Sequence, residues 1–419
     1  MAENLLIIHG GGPTAVINSS LYGAVREAKR RLKGGSVYAA IGGTGGLLRR
    51  QVKDLGTEPE ERLSLLLQSP ASAIGTSRDC LEAEDYAAMA QVIRELGITA
   101  VVMNGGNGTM DACGKLYAAC SDQGVRVMGI PKTIDNDIAI TDHAPGYGSA
   151  ARYMAASTAE VCADVRSLPI HVVVIEALGR SAGWITAASA LAAQCGLPGP
   201  DLIYLPERAF SPERFLADVE KLIKEKGFGV VVASEGLTGA DGKPIVDPIF
   251  TVGRATYFGD VSAHLANLII KKLGYKARSE KPGLLGRASI AWQSPVDREE
   301  AVLAGELAVR AVLTGESGKM VGFSRLSTEP YQVEPILIDI QEVMLRERLM
   351  PPEFINEAGN GVTPAFVEWC KPLIGPELPP ILSYTLYLPL PPGGSAPAPP
   401  KKGPHNGPPF ACVAALYAG

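Results

Sequence analysis

The chain has 419 residues, of which 46% are apolar and 20% charged, an ordinary globular composition with material for two domains that share a cleft. A formal net charge of −5 excludes nucleic acid as the main partner, because a phosphate backbone needs a basic face; a small anionic substrate stays open, since a few local Lys and Arg residues can dominate a cleft. No uninterrupted apolar stretch approaches membrane-spanning length, so the expectation is a cytoplasmic protein with no membrane partner.

Taken in chain order, Leu5–His9 reads as a strand that meets Gly10-Gly11-Gly12-Pro13-Thr14 and passes into a helix through about Arg31. Such a start is a buried strand and turn rather than a signal peptide. Ser36–Ile41 is a second strand, closed by Gly42-Gly43-Thr44-Gly45-Gly46. Glu84–Leu96 reads as a helix and Ile98–Met103 as a strand; Asn104–Thr109 is a turn that opens a helix through about Ala119. Val125–Ile130 is a strand leading into Lys132–Asp137, Tyr147–Val165 is helical, and Ile170–Ile175 is a β-branched run of the kind covered on both faces. Ala182–Cys195 and Pro212–Lys226 (helices), Val230–Ala233 (a strand) and Val261–Leu273 (a helix) continue the alternation. The pattern predicts an α/β protein with two doubly wound domains, whose ligands lie beyond the carboxyl ends of the strands. From about Pro389 the sequence PLPPGGSAPAPPKKGPHNGPP cannot form a packed core and reads as a tail. Seven cysteines without a CxxC pair or zinc spacing read as reduced core thiols.

Three junctions carry the chemistry. Gly10–Gly12 follows a strand and opens a helix, which lets backbone N–H groups and the helix dipole approach an anion, as a merely tight turn would also do. It matches neither G-x-G-x-x-G nor G-x-x-x-x-G-K-[ST]. Asn104-Gly105-Gly106-Asn107-Gly108-Thr109-Met110-Asp111 is a second such junction, and two of them suggest a polyphosphate lying across several loops. Asn107 and Thr109 suit a magnesium ion or phosphate oxygens, and equally suit the role of helix caps. Lys132-Thr133-Ile134-Asp135-Asn136-Asp137 places a cation, a hydroxyl and two carboxylates at a strand end. Phosphoryl transfer to an alcohol needs that inventory: a base, a carboxylate on Mg²⁺ and a cation for developing charge. The competing reading, a solvated acidic turn, has no use for the two glycine junctions. Arg180 and Glu235 follow strands; Arg78 suits donor phosphates; Arg278 and Arg287 are either a bidentate clamp on a sugar phosphate or surface charges.

In order, GGGPTAVIN, GTSR, GGNGT, PKTIDND, GYGSAARY, ALGRSAGW, SEG and GLLGR resemble the phosphofructokinase A family from about Leu5 to Gly322, with a background most similar to the bacterial pyrophosphate-dependent branch. The resemblance implies two Rossmann-like domains facing a shared cleft and a glycolytic, Mg²⁺-dependent transfer to the 1-hydroxyl of fructose 6-phosphate. It implies a donor domain at 1–146, completed by part of 287–335, a sugar-phosphate domain at 147–286, a C-terminal helical extension at 336–388 and a tail at 389–419. Catalytic roles fall to Asp135 as base, with Lys132 and Thr133. Gly11, Gly12, Arg78, Gly106, Asn107, Gly108 and Thr109 hold the donor, and Asn107 and Asp137 the metal. The sugar phosphate falls to Thr133, Asp135, Asp137, Leu178, Gly179, Arg180, Glu235, Arg278, Arg287 and His171. One phosphate-binding arginine comes from a neighbouring subunit in this family, which implies a homodimer or homotetramer. Pyrophosphate users carry Asp at the position of Gly108, where it blocks the α-phosphate of ATP, and Lys at Lys132. Gly108 with Lys132 resembles ATP-using members, so the donor is ATP by that pair and pyrophosphate by the background. Asn107 stands where Asp is usual, and His171 where an arginine grips the 6-phosphate, which opens the acceptor to another sugar.

Overall fold

Leu5-Leu6-Ile7-Ile8 is apolar at every position and fully buried, so neither of its faces is left to water. A computed structural model describes residues 3–168, 172–252 and 255–384, with the side chains of 252–257 apart; His171 and the tail from Pro389 lie outside the described residues. The strands are β1 (Asn4–His9), β2 (Val37–Ala40), β3 (Val52–Asp54), β4 (Ile98–Gly105), β5 (Arg126–Pro131), β6 (Val172–Ala177) and β7 (Leu202–Tyr204). They continue with β8 (Gly229–Ser234), β9 (Pro248–Val252), β10 (Ala255–Phe258), β11 (Ala277–Glu280), β12 (Lys319–Thr328) and β13 (Tyr331–Asp339).

Two main sheets form, as the alternation predicts. The first has seven strands in the order β13-β12-β5-β4-β1-β2-β3, and the second four in the order β11-β6-β8-β7. The second is wholly parallel; the first is parallel except at its edges, where β3 runs antiparallel to β2 and β13 to β12. In the first sheet the loops leaving β1 and β4 lead to opposite edges, and in the second the loops leaving β6 and β8 do the same. Those are the two crevices where an open α/β sheet receives ligands.

Helices cover both faces of each sheet. Ile17–Arg31 and Pro295–Leu313 lie on one face of the first sheet, together with its residues Leu5, Ile7, Ala100 and Val102. These two helices approach closely because each presents glycine: a Cβ on Gly23 would stand 2.1 Å from Val302 O, and one on Gly305 2.1 Å from Ser20 O. Ala83–Glu95 and Asn107–Ala119 cover the opposite face. In the second sheet Tyr147–Ser167 covers one face, and Pro212–Lys226 and Val261–Leu273 the other.

The structure departs from the sequence expectations in three places. The helix expected over Ala182–Cys195 is α-helical only at Trp184–Ala188 and tightens to a 3₁₀-helix at Ser189–Cys195, where Ser189 Oγ turns back to donate to Thr186 O at 2.6 Å. Among the described residues the expected helical extension is largely irregular after β13: its helices there are Ile340–Val343, the short turn Pro352–Phe354 and Pro364–Cys370, and prolines 351, 352, 364 and 372 prevent a longer run. Cys80 is exposed rather than in the core, whereas Cys113, Cys120, Cys162, Cys195 and Cys370 are buried and free. Among the described residues, no helix is long and apolar enough to cross a membrane.

Candidate active site

The first crevice is a cationic cradle. Gly10 N donates to Asn104 O at 2.9 Å, and Gly11 N to Ser77 O at 2.9 Å, which ties the turn after β1 to β4 and to the Thr76–Arg78 loop. Gly11 needs its glycine, since its φ is +75°. A Cβ on Gly12 would lie 3.0 Å from NH1 of Arg287 and 3.0 Å from NH2 of Arg78, so two guanidinium groups converge there. Buried Lys132 reaches up to the same turn, where Nζ donates to Gly12 O at 2.5 Å. None of the three cations pairs with a carboxylate among the described residues. Their mutual repulsion shows in the lysine: burial first, then Arg78 and Arg287, lower its pKa to about 8 against the pull of Asp135 and Asp137. Three like charges held around one glycine turn suit a polyanion.

The second glycine turn completes the cradle. Gly106 precedes the helix Asn107–Ala119, whose first-turn amides face the crevice end of β4. Thr109 is buried behind this turn: a Cβ on Gly105 would stand 2.1 Å from its Oγ1, and one on Gly10 2.3 Å. It therefore wedges the two turns together. Gly108 is the opposite case, with no atom beyond its own helix turn within 4 Å of where its Cβ would stand. Asn107 Nδ2 donates to Asp137 O at 3.1 Å, and its buried Oδ1 has no hydrogen-bond partner. An orphaned oxygen beside a carboxylate residue is a hard-donor arrangement suited to Mg²⁺, so Asn107 and Asp137 fit the metal role.

Lys132–Asp137 is held in a tight loop by its own polar groups. Thr133 Oγ1 accepts from Asp135 N at 3.0 Å and donates to Asp137 Oδ1 at 3.1 Å. Asn136 takes a left-handed φ of 53°, and its Oδ1 accepts from Ala144 N at 3.1 Å. Asp135 is recessed, and burial is the largest cause that lifts its pKa to about 7; Asp137 and Glu235 add to the rise, while Arg180 and Lys132 oppose it. A carboxylate titrating there can take a proton from an alcohol at neutral pH. Asp137 is also raised, chiefly by burial and against its hydrogen bond from Thr133.

The charges of Arg180 and Glu235 act on Asp135 because the second crevice faces the first. Gly179, with φ +136°, and Arg180, with φ +49°, form a strained turn after β6, and their amides donate to Glu235 Oε1 at 3.2 and 3.3 Å. Glu235 thus holds this turn with one oxygen, and partly buried Leu178 packs on the core beneath it. Arg278 and Arg287, read from sequence as one clamp, are not brought together. Arg287 joins Arg78 at Gly12, while Arg278 on β11 pairs in register with Val173, about 13 Å of strand before the site end of β6. Two contributors have no local signature: Arg348, whose N–H donates to Asp137 O at 2.8 Å, and Glu347, which accepts from Ser181 Oγ at 2.6 Å and so links the two crevices.

A family model described as Phosphofructokinase matches residues 4–312. The pyrophosphate–fructose 6-phosphate 1-phosphotransferase of Xanthomonas campestris is 36% identical over 90% of this chain and 92% of its own length. The sulfofructose kinase of Alkalicoccus urumqiensis is 36% identical over 90% of this chain and 96% of its own. The crystal structure of a pyrophosphate-dependent phosphofructokinase from Nitrosospira multiformis superposes with a TM-score of 0.82 and 34% identity, covering 92% of this chain and 95% of that one. With the match spanning the cradle, the Lys132–Asp137 loop and the second crevice, the chain belongs to the phosphofructokinase family and is a phosphotransferase.

Proposed function

We propose that this protein transfers a phosphoryl group from ATP to the 1-hydroxyl of fructose 6-phosphate with Mg²⁺, as a cytoplasmic homodimer or homotetramer. The reading for the donor rests on one observation: the space in front of Gly108 is open, at the mouth of a cradle whose three cations already suit the two terminal phosphates. A third phosphate has room there. The first-sheet domain then holds the donor, with Gly11, Gly12, Arg78, Gly106 and Lys132 on its phosphates. The second presents the sugar through Leu178, Gly179 and Arg180, and Arg278 serves the site of a neighbouring copy. Asp135 accepts the proton of the 1-hydroxyl as that oxygen attacks; Thr133 and Asn136 keep the carboxylate in place. Arg287 and Lys132 face the charge that grows on the transferred and leaving groups. Asn107 and Asp137 would hold Mg²⁺, which supplies charge neutralisation on the donor phosphates.

The names of the relatives favour a second reading on each side. Pyrophosphate as donor agrees with Lys132 on Gly12, and sulfofructose as acceptor agrees with His171, a weaker partner than arginine and so better matched to a singly charged sulfonate than to a phosphate. One assay separates them: ATP or pyrophosphate against fructose 6-phosphate or sulfofructose, in the wild type and in Gly108→Asp. The variant is expected to fold, since the new Cβ meets nothing and an acidic residue in the first turn of a helix is favourable. The expected outcome is ATP turnover on fructose 6-phosphate that falls at least about 100-fold in the variant, because a carboxylate displaces and repels the α-phosphate. Wild-type turnover with pyrophosphate alone overturns the donor, and turnover confined to sulfofructose overturns the acceptor.

A further inference from the structure

We propose that His143 is a positioning residue for the Lys132–Asp137 loop: its imidazole, clamped between Asp142 and Glu300, holds the Thr141–Gly146 segment from which that loop hangs. Besides the bonds within it, the loop takes several anchors from this segment. Thr133 N donates to Pro145 O at 3.1 Å, Thr133 and Gly146 form a parallel bridge, and Asn136 Oδ1 takes the amide of Ala144 at 3.1 Å. Each of those anchors belongs to the three residues that follow His143.

The clamp itself is buried and closed. His143 Nδ1 lies 2.9 Å from Asp142 Oδ2, and Nε2 lies 2.7 Å from Glu300 Oε2. With both carboxyl groups ionised each only accepts, so both ring nitrogens carry hydrogen and the ring is an imidazolium. The ring stacks on Phe323 with centroids 5.5 Å apart. Every element around it contributes charge or polarity. The helix Pro295–Leu313 brings Glu300 and Asp297, and Asp297 Oδ1 accepts from Gly146 N at 2.7 Å. From β12, Arg325 NH2 donates to Asp142 Oδ2 at 2.9 Å, and from β13 Tyr331 donates to Glu300 Oε1 at 2.6 Å. The C-terminal segment brings Trp369, whose Nε1 donates to Asp142 Oδ1 at 3.1 Å, and Arg348, whose NH1 donates to Thr141 O at 3.0 Å. Burial alone would strip the imidazole of its proton, yet the two carboxylates outweigh it and raise the pKa to about 9. The ring's two carboxylates, each tied in turn to further partners, fix the backbone of the segment to within the tolerance that catalysis demands, where a misplacement of about 1 Å costs about 100-fold.

The inference rests on the reading of Asp135 as base, and its tests are separable from that reading. Histidine ring carbon–proton NMR of the full chain, with the His143 signal assigned by its absence in His143→Gln, is expected to show a ring protonated up to about pH 9. A His143 ring that titrates at or below about 6.5 overturns the clamp even if no turnover is found with any donor. In kinetics, folded His143→Gln is expected to lose about tenfold in kcat with the KM for fructose 6-phosphate within about threefold; an unchanged kcat overturns the proposal. Should that variant not fold, Glu300→Gln decides. Losing one carboxylate lowers the pKa of the ring, so the ratio of variant to wild-type kcat is expected to fall at least about fivefold from pH 7 to pH 9. A ratio that does not change with pH marks a merely structural role and sinks the idea.

Discussion

At the scale of single residues, the proposed role of Asp135 as base rests on surroundings that disagree about its charge. Burial and two neighbouring carboxylates favour the acid, while Arg180 and Lys132 favour the anion, and the balance sits at about 7. Asp137, two residues on, hydrogen-bonds the hydroxyl of Thr133 and lies beside Asn107, so the two carboxylates sit in different surroundings, which suits the proposed division between proton and metal. Asp135→Ser is therefore expected to lower kcat by about 10²–10⁴-fold while calorimetry finds fructose 6-phosphate bound with near wild-type affinity. Turnover within tenfold of wild type would remove Asp135 from the role of base. The inventory of this loop is legible in six consecutive residues, because base, hydroxyl, cation and metal carboxylate are local. The convergence of Arg287 on Gly12 is not legible, since the two lie far apart in sequence and no periodicity records it.

At the scale of elements, the two glycine turns are one construction. Thr109 sits behind both, and the missing side chains of Gly10 and Gly105 are the room it occupies. Gly10→Ala forces a Cβ to 2.3 Å from Thr109 Oγ1 and is expected to destabilise the fold by about 1–3 kcal/mol in urea unfolding. Thr109→Ala removes the obstructing oxygen and methyl, so the double variant should be less destabilised than the sum of the single ones by about 1 kcal/mol or more. Strict additivity would mean that the wedge does not join the turns. The interior strands could be read from sequence because apolar runs such as Val172–Ile175 have no solvent face. β7, β11, β12 and β13 could not. β7 is three residues long, β11 is the largely exposed edge segment Ala-Arg-Ser-Glu, and β12 joins β5 through the pair Lys319 and Met128 across a long stretch of chain. Pairing of that kind is decided by tertiary packing rather than by local propensity.

At the scale of the whole molecule, the chain returns after the second sheet to finish the first, and the buried charges travel with that return. Glu300, Arg325 and Tyr331 all come from it, and they close on Asp142 and His143. The folded-state pKa of His143 is raised from the ordinary 6.5 to about 9, so the ring binds its proton more tightly in the folded chain. Its contribution to stability is then complete below about pH 6.5 and is lost as pH rises through about 9, a span worth on the order of 3 kcal/mol for this fully buried group. Asp142, which the same ring and Arg325 hold well below the usual carboxylate range, loses its share only on strong acidification; Lys132 and Asp135 titrate nearer neutrality but are common to the two proteins compared below. Asp297, raised to about 6 mainly by burial, titrates before that window opens and also leaves it untouched above about pH 7. Between pH 7 and pH 9.5 the melting temperature of the wild type is therefore expected to fall by several degrees more than that of His143→Gln, which has no proton to lose there. Parallel curves for the two proteins would show the ring to be neutral in the folded state.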